Sequence, residues 1–172
     1  MDFKKFQEIV VARCETLGIG DYELYYQVAE SIQAAAYRQE ISEFTSSVEG
    51  GVCFRCIVNG KMGYASTEEL SPAQAESIVD RAVDNASVLE SQEPVFLGEG
   101  GKTYQPLEPT HISMPGTEAL IHKVLSTQEQ IYAADPAVID GSATQGIAER
   151  SRIAIVNSRG LNLSCENTLV ES

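Results

Sequence analysis

Cys53 and Cys56 stand three apart in a C-x-x-C. That spacing carries a redox dithiol when it opens a helix, and zinc when it sits on a turn facing a second pair of ligands. Here it lies inside an alternating run, with Val52, Phe54, Cys56 and Val58 on one side and Cys53, Arg55 and Ile57 on the other. Residues three apart in a strand point to opposite faces, so the two thiols are expected to diverge and to behave as small hydrophobes. Cys14 and Cys165 complete a set of four whose spacings suggest no disulfide framework.

The two histidines offer no better start. His111 falls in a proline-rich stretch and is expected to be a solvated loop residue. His122 lies beside the apolar face of a helix, and no acidic or cysteine partner follows it at i+3 or i+4, the spacing a helical metal site uses. No H-E-x-x-H occurs, so activation of a zinc-bound water has no residues here. Gly101, Lys102 and Thr103 read G-K-T but lack the first glycine of a phosphate loop and a strand feeding it. The serine-rich residues 42–47 have no accompanying base, and a polar strand explains them. No catalytic, cofactor-binding or metal-binding residue is assigned within the chain.

Elements able to position such groups are nevertheless clear. Asp2 is an N-cap, Phe3, Phe6, Val10 and Leu17 keep helical spacing, and Gly18 is the stop. Residues 22–29 alternate through Tyr22, Leu24, Tyr26 and Val28, residues 31–37 continue in the same period, and residues 39–48 form a polar strand suited to an edge. Residues 52–58 then pass through Asn59 and Gly60, a pair suited to a type I′ turn, into a return strand. Together these predict four or five strands. Ser71, Pro72 and Gln74 form a capped entry to a helix with Ala75, Ile78, Val79, Ala82 and Ala86 on one face. After a stretch rich in proline and glycine, a third helix over residues 117–134 leads into strands at 138–149, 152–157 and 161–165.

The fold class expected is α+β, with antiparallel sheets of hairpins covered by helices and two related halves, each a helix followed by strands. The domain boundaries expected are an N-terminal α+β domain over 1–92, a linker over 93–116, and a second helix-plus-strands unit over 117–172 that continues into a further C-terminal region.

Charge narrows the partners. Twelve basic against 25 acidic residues give a formal net charge of -13, which argues against direct binding of nucleic acid. The absence of any apolar run of eighteen residues predicts no membrane span, and Lys4 and Lys5 are followed by Phe6, Gln7 and Glu8 rather than by a signal-peptide core. The expected location is the cytoplasm.

A resemblance attaches to residues 51–72. Gly51-Val52-Cys53-Phe54-Arg55, then Asn59-Gly60-Lys61-Met62-Gly63, then Ala65-Ser66-Thr67-Glu68-Glu69-Leu70-Ser71-Pro72 resemble the N-terminal region of the TldD/PmbA family, zinc metallopeptidases once called modulators of DNA gyrase. The likeness extends to Glu23-Leu24-Tyr25, Glu40-Ile41-Ser42-Glu43 and, more faintly, Asn157-Ser158-Arg159-Gly160-Leu161, and the Ser-Pro entry to the helix leans toward the PmbA-like branch. It implies a zinc motif on a helix far downstream of the matched region in TldD-type subunits, lost in PmbA-type subunits that pair with them. It implies no cofactor within these residues and no activity of this chain alone. It also implies a noncatalytic N-terminal part serving subunit assembly, as a homo- or heterodimer with a TldD/PmbA-type subunit, and admission of extended peptide for proteolysis or maturation. Residues 40–58 are where such a peptide is expected to pair. The alternative is an acidic interaction module acting on a DNA-binding partner such as DNA gyrase.

Overall fold

The computed structural model describes residues 1–90, 93–101, 104, 112–138 and 143–172. In chain order these form α1 (Phe3–Leu17), β1 (Asp21–Tyr37), β2 (Glu40–Val58), β3 (Lys61–Thr67), α2 (Pro72–Ser87), α3 (Thr117–Ala134), β4 (Thr144–Asn157) and β5 (Asn162–Glu171). The strands make one five-stranded antiparallel sheet in the order β3-β2-β1-β4-β5. The α+β class read from the sequence stands, with a single sheet in place of several.

The helix boundaries follow from local chemistry. Asp2 accepts a hydrogen bond from the Lys5 amide at 2.9 Å, and Gly18 ends α1 with φ 69°, a left-handed conformation glycine adopts without steric cost. Ser71 accepts from the Gln74 amide, and Pro72 fills the first position of α2, where a missing N–H costs nothing.

The strands are longer than their local pattern suggests. Residues 22–29 and 31–37 are not two strands but one, because the alternation never slips and Glu30-Ser31 supplies no turn. Likewise residues 39–48 and 52–58 merge into β2, running straight through Gly50 and Gly51. A side chain on Gly50 would run into the Gln27 carbonyl and Val28, and one on Gly51 into the Thr67 carbonyl. These glycines mark close approach of neighbouring backbones rather than a break.

The chain forms two compact units that interleave along the sequence, since β1, β2, β4 and β5 each contribute to both. The first comprises Met1–Val28, Gly50–Leu107 and Arg152–Cys165. Its core joins Phe6, Val10 and Cys14 of α1 to Leu24, Val52, Phe54 and Cys56 of the sheet and to Ala75, Ile78, Val79 and Ala82 of α2. Every fourth or third residue of the helices meets every second residue of the strands, which is how an apolar stripe covers a pleated face. Burying a side chain the size of Phe54 contributes about 2–3 kcal/mol. Arg13 adds a bidentate pair to Asp80, with Nε and Nη2 at 2.9 and 3.0 Å, joining α1 to α2.

The second unit comprises Ala29–Glu49, Glu108–Ser151 and Glu166–Ser172. Its core is smaller: Ile32, Ala34 and Ala36 of β1, Leu120 and Val124 of α3, and Ala148 of β4. Alanines at alternate positions of β1 leave room for the branched side chains of α3 above them. Thr144 Oγ1 donates to the Val124 carbonyl at 3.1 Å, tying the start of β4 to the helix.

Gly63 of β3 lies close against α2, and a Cβ there would overlap the Ala82 carbonyl. Gly63→Ala is expected to lower unfolding free energy by about 2 kcal/mol or more, because backbone on both sides must shift. Gly20→Ala, with nothing within 4 Å of the new methyl, is expected to stay within about 0.5 kcal/mol of the parent. Urea unfolding of both variants checks this.

Candidate functional site

The feature with most chemistry to offer is a strand edge. β3 pairs with β2 only from Val52↔Thr67 to Val58↔Lys61, although β2 begins at Glu40. On that side of β2, residues 40–49 meet no strand among the described residues, while their other side is held by β1. Unpaired amides and carbonyls along such an edge are a template for an extended chain. The side chains lie open as well: Phe44 is 43% exposed, Val48 is 71% exposed, and Glu40, Glu43 and Glu49 are exposed.

The edge is rigidly based. The turn from β1 to β2 consists of Arg38 and Gln39, both at positive φ (53° and 65°), a type I′ geometry built without glycine. Gln128 of α3 holds it: the Gln39 amide donates to Gln128 Oε1 at 2.7 Å, and Gln128 Nε2 donates to the Ala36 carbonyl at 3.0 Å. Gln128 is fully buried, and a buried amide left without partners would be costly, so the helix and the turn fix each other. The serines of residues 42–47 serve the ladder rather than a reaction. Ser42 Oγ donates to the Ala35 carbonyl at 3.2 Å, and Ser47 shares a 3.0 Å hydrogen bond with Ser31.

A second polar cluster lies in the first unit. Glu23, 4% exposed, accepts from Arg55 Nε at 2.8 Å and from Asn157 Nδ2 at 3.1 Å. Asn157 Nδ2 also donates to the Gly98 carbonyl at 2.8 Å, and its Oδ1 accepts from the Arg159 and Leu161 amides. The carboxylate is fully engaged, and the asparagine shapes the turn between β4 and β5. This is a structural network. Its members were legible only as strand and turn residues, because nothing local pairs Glu23 with groups 32 and 134 positions away.

The sequence candidates fall as follows. Cys53 is exposed and Cys56 buried, so the C-x-x-C thiols point to opposite faces of β2, as alternation requires. Burial pushes the Cys56 thiol up to about 11; burial, with Cys56 nearby, pushes Cys14 up to about 12. His122 is exposed on α3, and His111 lies outside the described residues. Of the glycine-rich segment, Gly98 and Gly100 are committed, the first through its carbonyl to Asn157 and the second through its amide to the Arg159 carbonyl, while Lys102 and Thr103 lie outside the described residues. The expected linker over 93–116 contains no helix or strand among its described residues. Among the described residues no three His, Cys, Asp or Glu side chains converge to hold a metal ion. No described helix is long and apolar enough to cross a membrane.

A helix-covered antiparallel sheet with one long strand open along half its length defines the architecture, and comparison places it. Residues 22–86 match the family described as PmbA/TldA metallopeptidase domain 1. The likeness read from residues 51–72 falls inside this match, so residues 22–86 are similar to the first domain of that family. The whole fold is shared with solved structures. A candidate DNA gyrase modulator from Thermotoga maritima MSB8 superposes with TM-score 0.84 at 18% identity, over 97% of this chain and 38% of that one. TldE from Thermococcus kodakarensis gives 0.82 at 18% identity, over 95% and 37%. A candidate DNA gyrase modulator from Bacteroides thetaiotaomicron VPI-5482 gives 0.80 at 15%, over 97% and 39%. The chain therefore spans under two-fifths of the length of these structures. No curated protein matches it.

Thiol chemistry checks the strand assignment. In the native chain Cys53 and Cys165 are expected to react with a thiol reagent at once, and Cys14 and Cys56 only after unfolding. Unfolded thiols titrate near 9.0, whereas the two buried ones keep their protons to about 11 and about 12. Between those values the unfolded chain binds fewer protons, so the thiol contribution to stability is complete below pH 9 and is lost as pH rises through 11 to 12. Replacing Cys14 and Cys56 by alanine and valine should flatten that alkaline decline in denaturant titrations.

Proposed function

We propose that this chain is a noncatalytic N-terminal part of a PmbA/TldD-type metallopeptidase-family protein, serving subunit assembly and the admission of extended peptide. The observation carrying this reading is the edge of β2 over residues 40–49, open among the described residues, seated on β1 and latched by Gln128. Strand addition suits a protein that must accept many polypeptides, because main-chain hydrogen bonds provide affinity without demanding a sequence. A folded protein cannot offer a free strand to such an edge, whereas an unfolded segment can. The edge replaces the broader expectation over residues 40–58, since β3 already occupies 52–58. Bond breaking belongs to other polypeptide: zinc, where a TldD-type subunit holds it, would supply the activated water. The partner is a PmbA/TldD-type subunit, the same chain or its counterpart, acting in the cytoplasm.

A second reading is an acidic module acting on DNA gyrase or a similar DNA-binding partner. The net charge of -13 and the names of two structurally similar proteins favour it. Immobilised chain separates the two. The first reading expects retention of a TldD-type subunit and of an unfolded peptide; the second expects gyrase alone. The purified chain should also bind an unfolded casein fragment and leave it intact. Chelator-sensitive cleavage by the chain would overturn the noncatalytic assignment.

A further inference from the structure

We infer that the open edge of β2 selects an extended peptide carrying lysine or arginine together with apolar side chains; this rests on the peptide-admitting reading above and names its substrate class. Residues 40–49 read E-I-S-E-F-T-S-S-V-E, with three carboxylates and no basic residue. Glu40, Glu43 and Glu49 are exposed, as are Phe44 and Val48. Arg38, the nearest basic residue in the sequence, stands in the turn with its guanidinium over the Tyr37 ring at 5.2 Å.

A strand added here would form its backbone ladder irrespective of sequence, and its side chains would lie beside those of β2. Opposite charges across neighbouring strands attract and like charges repel, while Phe44 and Val48 favour apolar neighbours. An acidic peptide would meet three carboxylates at close range within a chain of net charge -13. A second copy of the chain would bring the same charges to the same edge. The complementary occupant is therefore a cationic, partly apolar strand, and the edge discriminates against acidic ones before any reacting group is reached.

Fluorescence anisotropy on the intact chain tests this with three labelled ten-residue peptides, alternating lysine-valine, threonine-valine and glutamate-valine, and with a lysine-valine peptide N-methylated at every residue. Lysine-valine is expected to bind about tenfold tighter than glutamate-valine at low salt, with threonine-valine between them. The difference should shrink as the Debye length falls with added salt. The N-methylated peptide should lose binding, since its backbone donors are gone. Combining Glu40→Gln, Glu43→Gln and Glu49→Gln, all surface changes whose folding circular dichroism checks, should bring the three unmethylated peptides to similar affinity. Equal binding of the lysine and glutamate peptides by the parent chain would overturn the selectivity and leave the peptide-admitting reading intact. A preference that survives in the triple variant would overturn it too, and self-association of that variant alongside would mean the carboxylates serve only to keep edges apart. Failure of every peptide to bind, or equal binding of the N-methylated one, would overturn both readings.

Discussion

Backbone amides and carbonyls must be paired or left to water, and in this sheet the accounting is uneven. β2 runs for nineteen residues, while β3, its neighbour on one side, covers seven. After Thr67 the chain turns away to cap α2 at Ser71, so residues 40–49 of β2 keep a side that no described strand meets. Proteins usually shorten or cover such an edge because it invites other strands. Here it is long, carries carboxylates and projects Phe44 and Val48. An open edge of that kind is the physical basis for receiving an extended chain.

What makes the edge usable is that its support leaves it so little freedom. Gln128 satisfies both ends of a turn that sets two non-glycine residues at positive φ, and it does so from the buried face of α3. Elsewhere Asn157 joins the Glu23–Arg55 pair, the segment at Gly98 and the turn at Arg159 through one side chain. A buried carboxylate with several donors is far less costly than one with none, and losing any donor would leave charge in a poorly solvated place. Both networks commit polar groups to holding distant segments together.

Much of this was legible in the order of residues. Asp2, Gly18, Ser71 and Pro72 marked the helix ends because caps act over three or four positions. Asn59-Gly60 gave the tight hairpin for the same reason, and alternation through Val52, Phe54 and Cys56 indicated that the two thiols would diverge. Order alone misleads where a local signal has two meanings. Gly50-Gly51 resembled a break, but only the neighbouring backbones at Val28 and Thr67 reveal that glycine was required for closeness. Gln128 sat on an apolar stripe with no sign of its role, since its partners lie 89 and 92 residues away.

The sequence by itself determined the helices, the α+β class, the diverging cysteines and the family likeness of residues 22–86, all of which rest on spacings of a few residues or on one contiguous stretch. Only the tertiary structure decided that β4 and β5 extend the same sheet, that Glu23 meets Arg55 and Asn157, and that, among the described residues, 40–49 of β2 stay open while 52–58 are covered. Those outcomes depend on which distant segments pair and where a partner strand ends, and neither a cap nor a period carries that information.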